Sequence, residues 1–375
     1  MARVAGQSSS GSQREVQLLD GESGPEPGYA AYLVADSDER RLPASLPVVR
    51  LNAKLGHIGA GDIIRVSPAI EEVAVLYRRG SDFNVIFTTE RCNSDCVMCS
   101  QPPKDVDDRF LVDAFLQAIP LMAPGTKQLG ISGGEPTLLG NDLFRLIESC
   151  RNFLPNTSLH MLSNGRLFNY LTLAQRLAGV RHPELMVGIP LYSDIASKHD
   201  HVVQAQGAFE QTLRGVMNLS RCGVSVELRI VLHRLTVDRL PQLCRFIARN
   251  LPIVDHVALM GLEPIGYVRM NQEALWADPV DYRSELRAGV KALVSGGLNV
   301  SIYNHQLCVL DRDLWPYARM SISDWKNDYD VACTGCVLRN DCGGFFGHSS
   351  ACRSRGIKAI LPACPQGENQ EGTLC

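Results

Sequence analysis

The sequence predicts an α/β protein in which a parallel sheet with helices is preceded by a small β-rich domain and followed by a cysteine-rich extension. From Asp82 onward, short apolar segments of strand length alternate with amphipathic segments of helical period. This alternation is typical of parallel strands joined by right-handed helical crossovers. The 13 cysteines include two closely spaced groups, one after the first of these apolar segments and one in the last quarter of the chain.

Length and composition limit the classes of function. A chain of 375 residues is long enough for one large α/β domain with smaller appendages. The net charge is −3 and there is no Lys/Arg tract, which argues against nucleic acid or an anionic membrane as a partner. We find no apolar run that could cross a bilayer and no signal peptide, so we expect a cytoplasmic protein with reduced cysteines.

The N-terminal part is predicted to contain a tail and a small domain. Residues 1–30 carry Gly, Ser, Pro and Gln without periodicity, and we expect them to be a mobile tail. Residues 31–81 include alternating stretches at 48–51 and 62–66 and are predicted to form a small β-rich domain. Substrate docking and structural padding are both open as its role.

Residues 82–298 are predicted to form the main α/β domain. The predicted strands cover residues 83–89, 127–132, 158–163, 185–190, 225–232, 254–260 and 299–303. The clearest helices cover residues 141–153, 208–221 and 237–249, with Thr236 as the N-cap of the last and with Gly223 and Gly296 or Gly297 as helix stops. Six strand–helix units between residue 83 and about residue 265 are too few for an eight-fold barrel.

The first cysteine group points to a metal cluster. Cys92, Cys96 and Cys99 have C-x3-C-x2-C spacing directly after the first predicted strand. A structural zinc site is closed by four protein ligands, and no fourth ligand is nearby in the sequence. Three thiolates on one loop suit a cubane iron–sulfur cluster, which normally takes four cysteines, with one iron left open. From the loop alone, a zinc site or a chance cluster remains an alternative.

The segment Ser132-Gly133-Gly134-Glu135-Pro136 follows the second predicted strand. By itself it is explained as a tight strand-to-helix turn. Together with the cysteine spacing one unit earlier, it resembles the radical S-adenosylmethionine (SAM) superfamily. The resemblance implies a partial (βα)6 barrel, a [4Fe-4S] cluster on Cys92, Cys96 and Cys99, and SAM on the open iron. It also implies that the backbone of Gly133, Gly134 and Glu135 approaches the methionyl amine of SAM. This sequence differs from the family in having Met98 where an aromatic residue is usual.

Further polar residues lie at the ends of predicted strands, where ligands gather in parallel α/β folds. Asn164 and Ser193 are candidates for bonding the ribose hydroxyls, with a turn and a helix cap as the respective alternatives. Arg229 either reaches the SAM carboxylate or forms a structural pair with Glu227. Glu263 ends the sixth strand, where the superfamily packs adenine on backbone.

The second cysteine group lies in residues 299–375. Cys333, Cys336 and Cys342 have C-x2-C-x5-C spacing, and Cys308 precedes them. The spacing resembles the SPASM or twitch extensions of radical SAM peptide maturases, which implies one auxiliary [4Fe-4S] cluster; zinc and unligated thiols are the alternatives. Cys352 and Cys364 are possible replacements for Cys308, and Cys375 is predicted to be a tail residue. Cys150, Cys222 and Cys244 lie on predicted helices and are predicted to pack in the core.

Several longer segments resemble one subgroup, the His-Xaa-Ser system radical SAM maturases of HxsC type, over about residues 48–350. These segments are Arg91 to Cys96, Cys99-Ser100-Gln101-Pro102-Pro103, Gly188 to Ser193 and Tyr303 to Cys308, and His199-Asp200 with Gly207-Ala208-Phe209 resembles a pattern of peptide-modifying members. The resemblance implies reductive cleavage of SAM and a 5′-deoxyadenosyl radical that modifies a His-Xaa-Ser repeat peptide or protein. It further implies an electron donor, a second radical SAM maturase and a small partner protein. The rivals are a radical SAM enzyme acting on RNA or a small metabolite, and a zinc-stabilised scaffold without catalysis.

Overall fold

The computed structural model describes residues 1–5, 15–19, 25–38, 42–43, 45–320, 328–347 and 352–362. The strands in this part of the chain form two sheets. Every helix within it is too short or too polar to span a lipid bilayer.

The first sheet is built from the N-terminal region. Its strands are β1 (Ala2–Ala5), β2 (Glu15–Leu19), β3 (Ala31–Ala35), β4 (Val48–Leu51), β5 (Ile63–Ser67) and β6 (Glu72–Tyr77). The order is β4-β3-β2-β1-β5-β6, with β1 to β4 parallel and β5 and β6 antiparallel. The prediction of a mobile tail over residues 1–30 is therefore wrong, because β1 and β2 are central strands of the sheet. The two strands are stabilised by the buried side chains of Val4, Val16 and Leu19. Their apolar runs are too short to show a strand period among the surrounding Gly and Ser.

The second sheet contains seven parallel strands. They are β7 (Phe83–Phe87), β8 (Gln128–Ser132), β9 (Ser158–Leu162), β10 (Leu185–Pro190), β11 (Ser225–Leu232), β12 (His256–Gly261) and β13 (Val300–Tyr303). Each strand pairs with the next one along the chain, and β7 and β13 are the two edges. The sheet is thus an open, partly curled parallel barrel, which confirms the predicted fold class. The boundary predicted after residue 298 separates β13 from its sheet and is corrected, since β13 hydrogen-bonds to β12.

Helices connect the strands. They are α1 (Arg109–Ala118), α2 (Asn141–Phe153), α3 (Leu171–Val180), α4 (Ala196–Val203), α5 (Ala208–Arg221), α6 (Arg234–Val237), α7 (Leu240–Asn250), α8 (Gln272–Leu275) and α9 (Arg283–Ser295). The helices predicted over 141–153 and 208–221 are confirmed, and Gly223 and Gly297 follow helix ends with positive φ angles of 76° and 79°.

The helix predicted over 237–249 is divided into α6 and α7. Thr236 is not an N-cap, because it lies inside α6, where its hydroxyl accepts the N–H of His233 and donates to the carbonyl of Val231. Pro241 stands in the first turn of α7, a position at which proline favours the start of a new helix.

The main core lies between the barrel and its helices. Fully buried strand residues such as Ile86, Ile131 and Ile189 pack against the apolar faces of the helices. Cys150 and Cys244 are buried in this core and Cys222 packs against it, as predicted. The candidate site lies at the carboxyl ends of the strands, where the chain leaves the sheet toward each helix.

Candidate functional site

The loop that follows β7 brings the three predicted cysteines together. Burial raises the pKa of Cys92 to about 11 and that of Cys96 to about 12, and it also raises the pKa of Cys99. The neighbouring thiols add to this shift, since Cys99 acts on Cys92, and both Cys92 and Cys99 act on Cys96. The three sulfur atoms therefore lie within electrostatic reach of one another.

The spacing of these thiols differs from that of a single-ion site. Among the described residues, no three Cys, His, Asp or Glu side chains are close enough together to hold one metal ion. A mononuclear zinc site needs its ligands about 2.0–2.3 Å from one atom. A cubane cluster instead binds each thiolate at a different iron, so its ligands stand further apart.

Main-chain hydrogen bonds fix the cysteine loop to the end of α4. The N–H of Asp95 donates to the carbonyl of Val203 at 3.1 Å, and the N–H of Val97 donates to that of Val202 at 3.0 Å. Met98 is buried in an apolar cluster with Tyr192, Val202 and other residues. The loop is held by its backbone and by Met98, independently of any cysteine ligation.

Two side chains after β9 also bind the loop. Nδ2 of Asn164 lies 2.5 Å from Oδ1 of Asn93 and 4.0 Å from Sγ of Cys92. The guanidinium of Arg166 donates to the carbonyl of Asn93 and, at 3.0 Å, to Oγ of Ser94. The structure thus places Asn164 at the cysteine loop, whereas its bond to ribose stays a prediction. Arg166 was missed, although a cation in the Asn-Gly-Arg turn after a strand was a usable signal.

The Gly-Gly-Glu-Pro turn packs against the chain that leads into Cys92. The N–H groups of Gly134 and Glu135 donate to the carbonyls of Thr89 and Arg91 at 2.6 and 2.8 Å. A Cβ atom added to Gly134 would lie 2.1 Å from the Arg91 oxygen, and one added to Gly133, whose φ is 154°, would lie 2.6 Å from the Thr89 oxygen. The two glycines are required by this close approach of two backbones. Contact with the methionyl amine stays a prediction.

The side chain of Glu135 has a structural role. It is fully buried and accepts hydrogen bonds from the N–H and hydroxyl of Thr137, the hydroxyl of Ser163 and the N–H of Asn164, at 2.5–3.1 Å. Burial raises the pKa of Glu135, while these hydrogen bonds oppose the rise. The carboxyl group ties the turn after β8 to the end of β9, so any contact of Glu135 with SAM would come from its main chain.

Tyr192 and Ser193 follow β10. Oγ of Ser193 is buried and accepts the N–H of Ile195 at 3.1 Å, which is a local turn bond because no side chain caps α4, and its bond to ribose stays a prediction. The buried ring of Tyr192 stacks on His199 with 5.8 Å between ring centroids. Burial raises the pKa of Tyr192 well above its usual value, and Cys96 and Cys99 add to the rise, so this ring lies beside the cysteine loop. Tyr192 was missed as a site residue.

The His-Asp and Gly-x-Phe segments support Tyr192. Nδ1 of His199 accepts the N–H of Tyr192 at 3.2 Å. The carboxylate of Asp200 accepts the N–H groups of Gly207 and Phe209 at 2.6 and 2.8 Å, at the start of α5. The pattern is therefore a structural brace that joins α4, α5 and the residue next to the cysteines.

Arg229 forms the structural pair with Glu227. Its Nη1 lies 2.8 Å from Oε1 of Glu227, and Nδ1 of His256 lies 2.7 Å from Oε2. Burial would raise the pKa of Glu227, but the contact with His160, the hydrogen bond with His256 and the charge of Arg229 hold it well below its usual range. The buried charge is thereby compensated inside the barrel. A bond from Arg229 to the SAM carboxylate stays a prediction.

The loop after β12 covers the cysteine loop. The N–H of Tyr267 donates to the carbonyl of Cys99 at 2.9 Å, and Nδ2 of Asn271 donates to that of Val97 at 2.8 Å. Gly266 has a φ of 58°, and an added Cβ would lie 2.3 Å from the Cys99 oxygen. The segment that follows Met260–Pro264, where the resemblance places adenine, is thus packed directly on the loop. Tyr267 and Asn271 had no recognisable sequence signal.

The second cysteine group also converges. Cys308, Cys333, Cys336 and Cys342 line one cavity. Burial raises the pKa of Cys308, and Cys342 and Cys333 raise it further, which places these thiols near one another. Cys352 lines a different cavity from these four cysteines, and its replacement of Cys308 stays an alternative. Cys364 and Cys375 lie outside the described residues.

Comparisons with known proteins find one matching family and several similar proteins. Residues 86–247 match the profile of the radical SAM superfamily. Pre-heme d1 synthase of Dinoroseobacter shibae is 31% identical over 160 residues, covering 42% of this chain and 38% of that protein. PqqA peptide cyclase of Gluconobacter oxydans is 26% identical over 220 residues, covering 56% and 58%. Streptococcus suis SuiB bound to S-adenosylmethionine has 14% identity and a TM-score of 0.49, covering 70% of this chain and 57% of that one.

The matched part of the chain thus spans between 38% and 58% of the length of these curated relatives. The residues matched to the superfamily profile include the cysteine loop and the Gly-Gly-Glu-Pro turn. Residues 86–247, which resemble the radical SAM superfamily, therefore contain the two central parts of the candidate site.

Proposed function

We propose that the protein is a radical SAM enzyme that modifies a His-Xaa-Ser repeat peptide or protein after translation. In this proposal Cys92, Cys96 and Cys99 hold a [4Fe-4S] cluster whose open iron binds SAM. When bound and reduced by an electron donor, the cluster would supply the electron for reductive cleavage of SAM to a 5′-deoxyadenosyl radical, which would take a hydrogen atom from the substrate. The observation that carries the proposal is the convergence of three thiols on a loop packed against the Gly-Gly-Glu-Pro turn.

The residues present fit such a cluster. Burial raises the pKa of Cys92 and Cys96, so losing the thiol proton costs free energy in the absence of metal. Binding of iron to the thiolates would offset this cost. Asn164 and Arg166 orient the loop, and the buried ring of Tyr192 lies beside it. The chain's own contribution is to hold the ligands in place, exclude water and direct N–H groups near the sulfur atoms.

We further propose an auxiliary [4Fe-4S] cluster on the second cysteine group. The four thiols line one cavity, which also has Arg339 and Lys358 in its lining. Two cations beside four thiolates favour a site with net negative charge. Four cysteine ligands would coordinate such a cluster fully.

The peptide substrate rests on two supports. PqqA peptide cyclase acts on a peptide by its name and is similar over 56% of this chain. The His-Xaa-Ser class itself, with a second radical SAM maturase, a small partner protein and an electron donor as partners, rests on the resemblance to the HxsC-type maturases. Pre-heme d1 synthase and GTP 3′,8-cyclase, at 31% and 27% identity, keep a small-molecule substrate as the second candidate.

Co-expression tests the choice between these substrates. A His-Xaa-Ser repeat protein produced with this protein in anaerobic cells should show a mass change that is absent when this protein is left out. The purified protein should also release 5′-deoxyadenosine from SAM under a chemical reductant. Release of 5′-deoxyadenosine without any mass change in the repeat protein, under conditions that support turnover, would favour the small-molecule alternative.

A further inference from the structure

A segment that follows the second cysteine group joins that group to the main domain. This segment, residues 354–360, is called the strap. The carboxylate of Asp278 accepts the N–H of Arg355 at 3.0 Å and the hydroxyl of Ser354. The guanidinium of Arg355 also forms ion pairs with Asp278, at 3.2 Å, and with Asp281. Both aspartates lie just before α9, so one end of the strap is fixed to the main domain.

The other end of the strap hydrogen-bonds to the sulfur atoms of two cysteines. The N–H of Ile360 donates to Sγ of Cys336 at 3.4 Å, and its carbonyl accepts the N–H of Val337 at 2.9 Å. Burial raises the pKa of Cys308, and a main-chain hydrogen bond from Lys358 opposes the rise. The strap therefore presents one main-chain donor to each of two cysteines from different parts of the chain.

Burial of side chains explains little of the conformation of the strap. Of its residues only Ser354 is buried, and Arg355 and Lys358 are exposed. Fixing the backbone of each residue costs about 1–2 kcal/mol in conformational entropy, which other contacts must offset. The bonds to the two aspartates and to the cysteine sulfurs are contacts of this kind.

Metal binding would strengthen the bonds to sulfur. A metal-bound cysteine is a thiolate, whereas the sulfur of a free thiol is a weak acceptor. A hydrogen bond to an ionised acceptor is roughly twice as strong as one between neutral groups. The strap should therefore be held more firmly when the second cysteine group binds a metal. The strap should in turn slow the loss of that metal, because the coupling between the two events is reciprocal.

We propose that the strap retains the metal of the second cysteine group, with the N–H groups of Lys358 and Ile360 bonded to the metal-bound thiolates. Arg355 keeps the strap in place through its bonds to the two aspartates. This inference rests on the proposed function, which supplies the auxiliary cluster as the metal. The strap acts on the metal only through the cysteine ligands, so its residues are positioning residues.

Hydrogen exchange of the full chain tests the inference on the wild-type protein. We expect residues 356–361 to exchange at least about tenfold more slowly in anaerobically reconstituted protein than in protein stripped of metal by a chelator. Helix α2 is the internal control and should exchange equally in both samples. Equal exchange of residues 356–361 in the two samples would overturn the inference.

The variant Arg355→Ala tests how the strap is fixed to the main domain. Without the ion pairs, residues 356–361 should exchange severalfold faster, and the reconstituted protein should lose metal severalfold faster to a chelator. Lys291→Ala, at an exposed position on α9, removes a cation of the same helix region and should match the wild type. Wild-type exchange in Arg355→Ala would contradict the role of Arg355.

The variant Ile360→Pro removes one main-chain donor to sulfur and keeps the carbonyl that accepts from Val337. We expect severalfold faster loss of metal to a chelator. Leu361→Pro, at the exposed neighbouring position, keeps this donor and should retain metal like the wild type. Equal metal loss in the two proline variants would show that the N–H of Ile360 does not help to hold the metal.

Metal analysis of the same samples separates this inference from the proposed function. About eight irons together with exchange that does not depend on metal would overturn the inference and leave the two-cluster proposal in place. About four irons and one zinc, together with exchange that slows on metal binding, would contradict the auxiliary cluster and support the inference.

Discussion

Nδ2 of Asn164 lies 2.5 Å from Oδ1 of Asn93, and the same nitrogen is 4.0 Å from Sγ of Cys92. The main-chain N–H of Asn164 is meanwhile fixed by the buried carboxyl of Glu135 at 2.7 Å. One residue therefore links the Gly-Gly-Glu-Pro turn, the end of β9 and the first cysteine. The position of Cys92 depends on this chain of contacts as well as on its own loop.

The variant Asn164→Ala tests this link. Loss of the bond to Asn93 should free the start of the cysteine loop at a cost of about 1 kcal/mol. We expect severalfold faster loss of iron to a chelator, and slower formation of 5′-deoxyadenosine. Asn152→Ala, at an exposed position on α2, is the matched control and should lose iron like the wild type. Identical iron loss in both variants would show that Asn164 does not steady the loop.

The variant Gly134→Ala tests the backbone contact behind the cysteines. The added Cβ would lie 2.1 Å from the Arg91 oxygen, so the turn or the segment before Cys92 must move. We expect a destabilisation of about 1–3 kcal/mol and a clear drop in reconstituted iron. Gly125→Ala is the control, because an added Cβ there meets no atom within 4 Å. Full iron content in Gly134→Ala would contradict the structural reason given for this glycine.

The strands of the barrel were predictable because fully buried parallel strands form short apolar runs between helices. The strands predicted over residues 185–190 and 225–232 coincide with β10 and β11. The strands of the first sheet at residues 2–5 and 15–19 were not predictable, because four or five residues are too few to show an alternating apolar pattern. Their side chains are buried by neighbouring strands. Tertiary pairing, absent from a local sequence window, decides them.

The cysteines and the glycine turn were predictable because their spacing is a local property. Tyr267 and Asn271 were not, because they reach the cysteine loop from about 170 residues further along the chain. Their role depends on which loops meet at the barrel mouth. The side chains of Glu135 and Ser193 make local hydrogen bonds that spacing in the sequence does not show, and their contacts with SAM stay predictions.

Glu227→Gln should show a stability loss that depends on pH. The folded pKa of Glu227 lies below its unfolded value of about 4.3, so its ionised form stabilises the fold above that pH, and the contribution falls as the pH drops toward the folded pKa. We expect a loss of about 3 kcal/mol in the free energy of unfolding at pH 7 and a smaller loss at pH 4. Urea unfolding of the iron-free protein measures both.

Glu148→Gln, at an exposed position on α2, is the control and should change the free energy of unfolding little at either pH. A loss in Glu227→Gln that is the same at pH 7 and pH 4 would mean that the charge of Glu227 is not what stabilises the barrel interior.

Iron content separates the two candidates for the fourth ligand of the auxiliary site. Cys308→Ala removes a thiol that lines the cavity with the other three cysteines, whereas Cys352→Ala removes one from a different cavity. Wild-type protein with two [4Fe-4S] clusters should hold about eight irons. We expect Cys308→Ala to fall toward about four and Cys352→Ala to stay near eight. The reverse order would assign the fourth ligand to Cys352.

Replacing Cys92, Cys96 and Cys99 together by Ala should abolish release of 5′-deoxyadenosine from SAM under reductant. The fold should remain, because main-chain bonds from Asp95 and Val97 to the end of α4 hold the loop without the thiols. Circular dichroism and the thermal unfolding midpoint check the fold, and chromatography measures the release. Cys222→Ala, which removes a half-buried thiol on the far end of α5, should retain full release. Undiminished release by the triple variant would refute the cluster assignment, since no other set of thiols is placed beside the Gly-Gly-Glu-Pro turn in the part of the chain that the structure describes.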